Sequence, residues 1–258
     1  MLGKTTKTYA GCETMIPLYD TIPSRNTPVA MYILILANAL VFLLQLELPP
    51  PVLEQFFHHF GIVPYRYTHP ELAYFLGMRL DYWPFLTSMF LHGGWLHIVG
   101  NMWTLWIFGD NVEDRMGPLR FTLFYLCCGV IAGIVHVLTN PNSTVPTIGA
   151  SGAISGVMGA YFVLYPYARV ITLVPVFFYP LFVAFPAVVY LGIWFLIQFF
   201  NGVGSLLPSD QVGGIAWWAH IGGFAAGILL CPFFLRSRGP CRHCYPDEYK
   251  TELGWLQW

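Results

Sequence analysis

The sequence predicts an all-α membrane protein, a bundle of six transmembrane helices with a partly embedded first loop. Composition is the first reason: 56% of the 258 residues are hydrophobic and 10% are charged, whereas soluble domains carry about 25% charged residues. The second reason is that apolar runs of about 20 residues recur along the chain, each long enough to cross a bilayer core of about 30 Å. The third is an asymmetric distribution of basic residues between alternate loops.

Six apolar runs are predicted to span the membrane. They cover residues 29–48, 94–112, 119–139, 150–168, 180–201 and 216–235. They divide the chain into a loosely ordered N-terminal arm over residues 1–28, a membrane domain over residues 29–235 and a polar tail over residues 236–258. No small-residue cleavage site follows the first run, so we do not interpret it as a signal peptide.

The 12 lysines and arginines predict an orientation. With a cytoplasmic N-terminus and six alternating spans, only Arg66 and Arg79 face the outside, as the positive-inside rule requires. We therefore predict an integral multi-pass protein of the plasma (inner) membrane, surrounded by the lipid bilayer, with both termini in the cytoplasm. The net charge of −1 gives no electrostatic basis for a nucleic-acid partner.

Two loops have informative compositions. Residues 49–92 are rich in aromatic side chains, which favour the membrane–water interface, so we predict short, partly embedded helices on the outer face. Residues 202–215 contain several Gly and Ser residues and Pro208, a composition typical of a mobile loop.

A polar pair lies in the second predicted span. His97 and Asn101 are four residues apart, so on a helix their side chains point the same way. Both offer N–H donors toward one point. The alternative is a polar pair that holds two helices together by hydrogen bonds.

The stretch TIGASGAISG, residues 147–156, begins the fourth predicted span. Its glycines favour close packing of helices, and packing alone is sufficient to explain their presence. Ser151, however, lies at the start of the helix, where backbone N–H groups are free and the helix dipole favours negative charge. A hydroxyl there could attack a carbonyl, and the resulting oxyanion would find donors in place.

The sixth predicted span carries a histidine on a glycine-rich face. His220, Gly223 and Gly227 are spaced three and four residues apart, so another helix could approach closely. The fourth span is the natural partner, and its packing would bring His220 to Ser151. The alternative is a buried histidine that makes only structural hydrogen bonds.

Together these groups predict a nucleophile, a base and oxyanion donors: Ser151 as nucleophile, His220 as base, and His97, Asn101 and the Ser151 backbone N–H as donors. No acidic residue falls at mid-span depth, so a Ser-His dyad is predicted instead of a triad. We predict no cofactor and no metal. There is no HExxH motif, and the CxxC at Cys241 and Cys244 has only Cys12 as an obvious further ligand for a four-coordinate zinc site.

The segments HIVGN, GASG and AHIGGFAAG, in this order on the second, fourth and sixth spans, closely resemble those of rhomboid intramembrane serine proteases. The resemblance covers about residues 15–235. It implies a six-helix rhomboid-like bundle with Ser151 as nucleophile, His220 as base and His97 and Asn101 in the oxyanion hole. It also implies substrates that are single-span membrane proteins, cleaved near the outer face at small residues in segments that unwind easily.

Two positions depart from the pattern of that family. Trp83 is followed by Pro84 where many members have arginine. Ser155 stands four residues after the candidate nucleophile, where some members have an aromatic residue that stacks on the histidine. Another group must therefore orient His220.

Two other functions remain open from the sequence. One is a catalytically silent rhomboid-like protein that binds membrane clients, and the other is a small transporter or channel whose pore is lined by the same polar groups. If the protein is a protease, we predict that the fifth span and loop 202–215 form the gate for the substrate, because their composition indicates few contacts with the rest of the bundle.

Overall fold

The computed structural model describes residues 16–75, 77–176, 179–205 and 215–236. In these ranges the chain forms ten α-helices, one 3-10 turn and one three-stranded sheet. The helices are α1 (Val29–Leu46), α2 (Pro50–Phe60), α3 (Pro64–Thr68), α4 (Pro70–Phe75), α5 (Pro84–Thr87), α6 (Trp95–Met116), α7 (Pro118–Thr139), α8 (Ser151–Leu164), α9 (Ala187–Gly204) and α10 (Trp217–Phe234). The strands are β1 (Ile16–Asp20), β2 (Arg169–Val176) and β3 (Tyr179–Pro186), and the 3-10 turn is Ser88–Phe90.

Four of the described helices, α1, α7, α9 and α10, are long and apolar enough to cross a membrane. The two other predicted spans are also helices, but they do not meet this criterion of length and apolar composition. Helix α6 has 22 residues and contains polar side chains such as His97, Asn101 and Asp110. Helix α8 has only 14 residues, or about 21 Å at 1.5 Å per residue, which is less than the thickness of a bilayer core.

Helix α8 lies at the centre of the bundle. Residues 152–161 are all buried, and the helix packs against α10, α7 and α6. Its apolar character is therefore explained by contact with other helices, and it needs no contact with lipid. Hydropathy predicted a longer span, residues 150–168, because buried residues that follow the helix, such as Tyr165 and Ala168, are also apolar.

Glycines set the distance between α8 and α10. A Cβ atom at Gly223 would overlap the carbonyl oxygen of Gly152, and one at Gly227 would overlap the carbonyl of Gly156. The close packing of these two helices, predicted from their glycine spacing, is confirmed.

We expect Gly227→Ala to lower the free energy of unfolding by about 1–3 kcal/mol, because overpacking forces the two helices apart. Gly192→Ala on α9 is the matched control, since a Cβ there meets nothing within 4 Å. Thermal unfolding of both variants in the same detergent checks the prediction. Equal midpoints for the two would contradict it.

The described chain is mostly helical, as predicted, but it also contains a three-stranded antiparallel sheet in the order β1-β2-β3. Residues 180–186, predicted as the start of the fifth span, form β3, and the helix begins only at Ala187. Strands β2 and β3 pair from Arg169↔Pro186 to Val176↔Tyr179. A short apolar run with β-branched residues and prolines has no periodicity that separates strand from helix.

The N-terminal arm is also more ordered than predicted over residues 16–20. Strand β1 pairs with β2, from Ile16↔Leu173 to Asp20↔Val170. Asp20 accepts hydrogen bonds from the Tyr161 hydroxyl and from Asn111 Nδ2, and burial raises the pKa of its carboxyl to about 6. These contacts connect the sheet to the end of α8 that is farther from Ser151.

The first loop forms short helices, α2 to α5, as predicted. Its conformation is fixed partly by a backbone bridge between Ile62 and Thr147, whose N–H groups each donate to the other's carbonyl at 3.0 and 2.7 Å. Several of its aromatic side chains are exposed, among them Tyr74, Phe75, Tyr82 and Trp83. Embedding of this loop in the outer leaflet stays a prediction.

Candidate active site

The structure brings Ser151 and His220 into hydrogen-bonding contact. Ser151 is the first residue of α8 and His220 lies in the first turn of α10. The Ser151 Oγ and His220 Nε2 atoms are 2.9 Å apart. The contact depends on the glycine-mediated packing of α8 against α10, because a wider spacing would move the imidazole out of reach.

A tight turn precedes Ser151. Gly149 has a φ of +125°, a conformation that side chains of L-residues rarely adopt, and its N–H donates to the carbonyl of Ser88 at 2.9 Å. The turn ends at Ala150, and the first turn of α8 leaves free N–H groups beside the Ser151 hydroxyl.

His97 and Asn101 face this turn from α6. A Cβ atom built on Gly149 would lie 2.7 Å from His97 Nε2 and 3.8 Å from Asn101 Nδ2. Both side chains therefore point at the backbone immediately before Ser151. The absence of a side chain at position 149 keeps that space open.

Hydrogen bonds indicate that both side chains present donors there. His97 Nδ1 accepts the Gly93 N–H at 3.3 Å, which leaves the proton of a neutral ring on Nε2. Asn101 Nδ2 is buried and has no hydrogen-bond partner among the described residues. Buried donors are normally paired, so an unpaired N–H that faces the turn before Ser151 is the arrangement expected of an oxyanion hole at rest.

His220 also contacts Gln198 on α9, a residue that was not predicted from the sequence to belong to the site. The Gln198 Oε1 and His220 Nδ1 atoms are 2.8 Å apart, and Gln198 is 5% exposed. The ring centroid of Trp194, one turn earlier on α9, lies 5.9 Å from that of His220. The signal for Gln198 was present in the sequence: it is a strongly polar residue inside the apolar run WFLIQFF.

The Ser155 hydroxyl makes its hydrogen bond within α8 and not with the histidine. It donates to the carbonyl of Ser151 at 2.7 Å. Because Ser155 replaces the aromatic residue that some family members have, another group must orient His220. That group, Gln198, lies on α9 and not on α8.

A second histidine missed from the sequence, His136 on α7, supports the loop that leads to Ser151. Its Nε2 atom is 2.7 Å from Thr147 Oγ1, and Thr147 also forms the backbone bridge with Ile62. The loop is therefore held from α7 and from the first loop at once, which fixes the position of Gly149.

A small cavity adjoins Ser151. It has a volume of about 30 Å³, enough for about two water molecules. Much of its wall is made of small residues, including Gly129, Ala132 and Gly133. The cavity can hold water or a small side chain next to the hydroxyl.

No group of three or more His, Cys, Asp or Glu side chains is placed to hold a metal ion in the part of the chain that the structure describes. Cys12, Cys241 and Cys244 lie outside those residues. The prediction that the chain uses no metal or cofactor is therefore not tested.

Comparison with known proteins identifies the family. The family model for the Rhomboid domain matches residues 79–237, more than half of the 258 residues, and this range includes all four candidate site residues. The chain belongs to the rhomboid family. The resemblance drawn from the three motifs is thus confirmed at the level of the family.

Relatives occur in bacteria, plants and animals. The chain is 36% identical over 81 residues to "Putative rhomboid protease YdcA" of Bacillus subtilis, covering 31% of this chain and 40% of that protein. It is 30% identical over 153 residues to "Presenilin-associated rhomboid-like protein, mitochondrial" of Mus musculus, covering 56% and 36%. It is 41% identical over 78 residues to "RHOMBOID-like protein 6, mitochondrial" of Arabidopsis thaliana, covering 30% and 25%. The matched segments span less than half the length of each relative.

Proposed function

We propose that this rhomboid-family protein is an intramembrane serine protease that hydrolyses peptide bonds in or near transmembrane segments. The observation that carries the proposal is the 2.9 Å contact between Ser151 Oγ and His220 Nε2, beside two side-chain donors aimed at the same turn. A hydroxyl, a base and preorganised donors are the minimum set for acyl transfer.

The reaction proceeds in two steps, acylation of Ser151 and hydrolysis of the acyl ester. Ser151 Oγ attacks the carbonyl carbon while its proton passes to His220 Nε2, and the negative charge on the substrate oxygen is stabilised by His97 Nε2–H and Asn101 Nδ2–H. His220 then donates the proton to the departing amine, which leaves an acyl ester on Ser151. Water from the adjoining cavity then gives a proton to His220 as its oxygen attacks the ester carbonyl. The carbonyl–Oγ bond breaks, and His220 returns the proton to Ser151 Oγ, which restores the hydroxyl.

The proposed substrates are membrane proteins, single-span proteins in particular. A transmembrane helix keeps its carbonyls in internal hydrogen bonds, so a segment must unwind before Ser151 can attack it. The small residues around the cavity, Gly129, Ala132 and Gly133, favour small substrate side chains next to the scissile bond.

The proposed topology has six spans in the plasma (inner) membrane, with α6 and α8 as the second and fourth and with both termini cytoplasmic. The short α8 supports this arrangement. A helix of about 21 Å in a core of about 30 Å leaves Ser151 below the outer surface, where an opening to the outside can supply water. The proposed gate combines α9 with loop 202–215, of which residues 206–214 lie outside the described residues.

Covalent labelling tests the proposal. We expect a fluorophosphonate to form one adduct with the folded protein, mapped by peptide mass spectrometry to Ser151, and the same preparation to cleave single-span model substrates in liposomes. Ser24, whose hydroxyl is exposed and bonded to Asn26 O, is an internal control that should stay unlabelled. A folded protein that neither reacts nor cleaves any substrate would favour the silent, client-binding alternative.

A further inference from the structure

We infer that Gln198 is a positioning residue that holds the His220 imidazole in the tautomer able to accept the Ser151 proton. The inference rests on the proposed function and adds a third member to its Ser-His pair. That member is a neutral amide supplied by α9, a helix to which the sequence motifs assign no part of the site.

The orientation of the Gln198 amide is fixed at both ends. Its Nε2 atom donates to the carbonyl oxygen of Trp194 at 3.3 Å, and a carbonyl can only accept, so the nitrogen must lie on that side. The oxygen, Oε1, therefore faces His220 Nδ1 at 2.8 Å. Oε1 is an acceptor only, so Nδ1 must carry the hydrogen.

This arrangement determines the role of the second ring nitrogen. A neutral imidazole carries one hydrogen, and with Nδ1 protonated its Nε2 presents a lone pair. That lone pair faces Ser151 Oγ at 2.9 Å. The opposite tautomer would place two hydrogens between Nε2 and Oγ, or turn the hydroxyl away, and neither state can start the reaction.

A neutral amide suits the surroundings of His220. The ring is enclosed by Trp194 and Trp217, whose centroids lie 5.9 and 6.4 Å away, and its titratable neighbours are His97 and His136. A carboxylate here would need a partner to offset its desolvation. Glutamine supplies the accepting oxygen without that cost, although it stabilises the imidazolium less than a full negative charge would.

The position of Gln198 makes the base dependent on α9. Gln198 reaches His220 across the contact between α9 and α10, and only 22% of the residues of α9 are buried. Loss of that contact would leave His220 hydrogen-bonded to Ser151 alone, with its tautomer and ring orientation no longer defined.

The test compares two near-isosteric changes on α9. Gln198→Met removes both amide contacts. Asn201→Leu is the matched control because Asn201 Nδ2 donates to Ile197 O at 2.7 Å in the same four-residue spacing, but its side chain is exposed. We expect Gln198→Met to lower kcat and the rate of fluorophosphonate labelling by about 10- to 100-fold with KM unchanged, and Asn201→Leu to change neither.

A conservative variant separates positioning from a merely structural role. Gln198→Glu keeps the accepting oxygen, so we expect it to recover most of the rate lost in Gln198→Met. Its added negative charge should also move the acid limb of the kcat/KM profile to higher pH, because it favours the protonated ring. Thermal unfolding in detergent checks that the variants are folded. If Gln198→Met does not fold, Gln198→Asn replaces it in the test. The shorter asparagine side chain cannot reach both Trp194 O and His220.

The outcomes distinguish this inference from the proposed function. An active wild-type protein with a Gln198→Met variant within about twofold of its kcat overturns the role of Gln198 alone. Equal losses in Gln198→Met and Gln198→Glu overturn it as well. A wild-type protein that neither cleaves nor labels overturns the proposed function and this inference together.

Discussion

Replacing Ser151 by alanine is expected to abolish proteolysis, with a loss of about 10⁴-fold or more in kcat. The hydroxyl is the only nucleophile placed against the His220 imidazole in the described site, and alanine leaves no atom to form the acyl ester. Because Ser151 is half-buried at a helix start, the change removes one hydrogen bond and almost no volume. The folded state should therefore persist, and cleavage of a model substrate in liposomes measures the effect.

Ser155→Ala provides the matched control for this prediction. It makes the same chemical change one turn along α8, where the hydroxyl only donates to the Ser151 carbonyl at 2.7 Å. Such a bond within a helix contributes little to stability, so we expect Ser155→Ala to cleave at close to the wild-type rate. Substantial cleavage by Ser151→Ala, or equal losses in both variants, would remove Ser151 from the nucleophile's role.

Replacing His220, the proposed base, by alanine is expected to abolish cleavage as well. Without the imidazole the Ser151 proton has no acceptor in the described site, so the acylation step should fail and labelling by fluorophosphonate should be lost with it. A variant that loses cleavage but is labelled at the wild-type rate would show that His220 acts after acylation and not before it.

The parts of the fold that local sequence pattern determines were predictable. The apolar runs at α1, α7 and α10 lie within two residues of the predicted spans at each end. The glycines at 152, 156, 223 and 227 predicted the contact of α8 with α10, because small residues at helical spacing have few other uses in a membrane domain. These signals lie in single segments and need no knowledge of the rest of the chain.

The sheet was not predictable in the same way. Strand β1 forms because β2 offers it a partner about 150 residues away in the chain, and nothing within Ile16–Asp20 indicates that pairing. Strand β3 was assigned to a helix because hydropathy records burial or lipid contact but not backbone conformation. Pro180 and Pro186 were the available cue, since proline is unfavourable inside a helix.

For the candidate site, the sequence predicted which residue types meet but not every contact. Ser151, His220, His97 and Asn101 were named from motifs, and the structure places all four around one turn. Gln198 was missed because its relevance depends on the rotation of α9 relative to α10, which hydropathy does not record. His136 was missed because its partner, Thr147, lies beyond a proline-containing loop.

Replacing Asn101 by leucine is expected to lower kcat by about 10²- to 10³-fold while KM changes little. Asn101 Nδ2 has no partner in the resting site among the described residues, so it makes no bond there that the substrate's ground state would lose. Its hydrogen bond forms when negative charge develops on the substrate oxygen. An interaction made only in the transition state affects kcat and kcat/KM equally.

The same orphan donor predicts the effect of this change on stability. An unpaired buried N–H destabilises the folded state, so Asn101→Leu should leave the unfolding midpoint unchanged or raise it. Asn38 on α1 is the matched control: it is buried, and its Nδ2 donates to Leu34 O at 2.8 Å. Asn38→Leu makes the same chemical change outside the candidate site and breaks a bond within α1, which contributes little to stability, so it should leave both the unfolding midpoint and kcat nearly unchanged. If Asn101→Leu instead raises KM at constant kcat, its amide binds the ground-state substrate and His97 is left as the side-chain donor to the oxyanion.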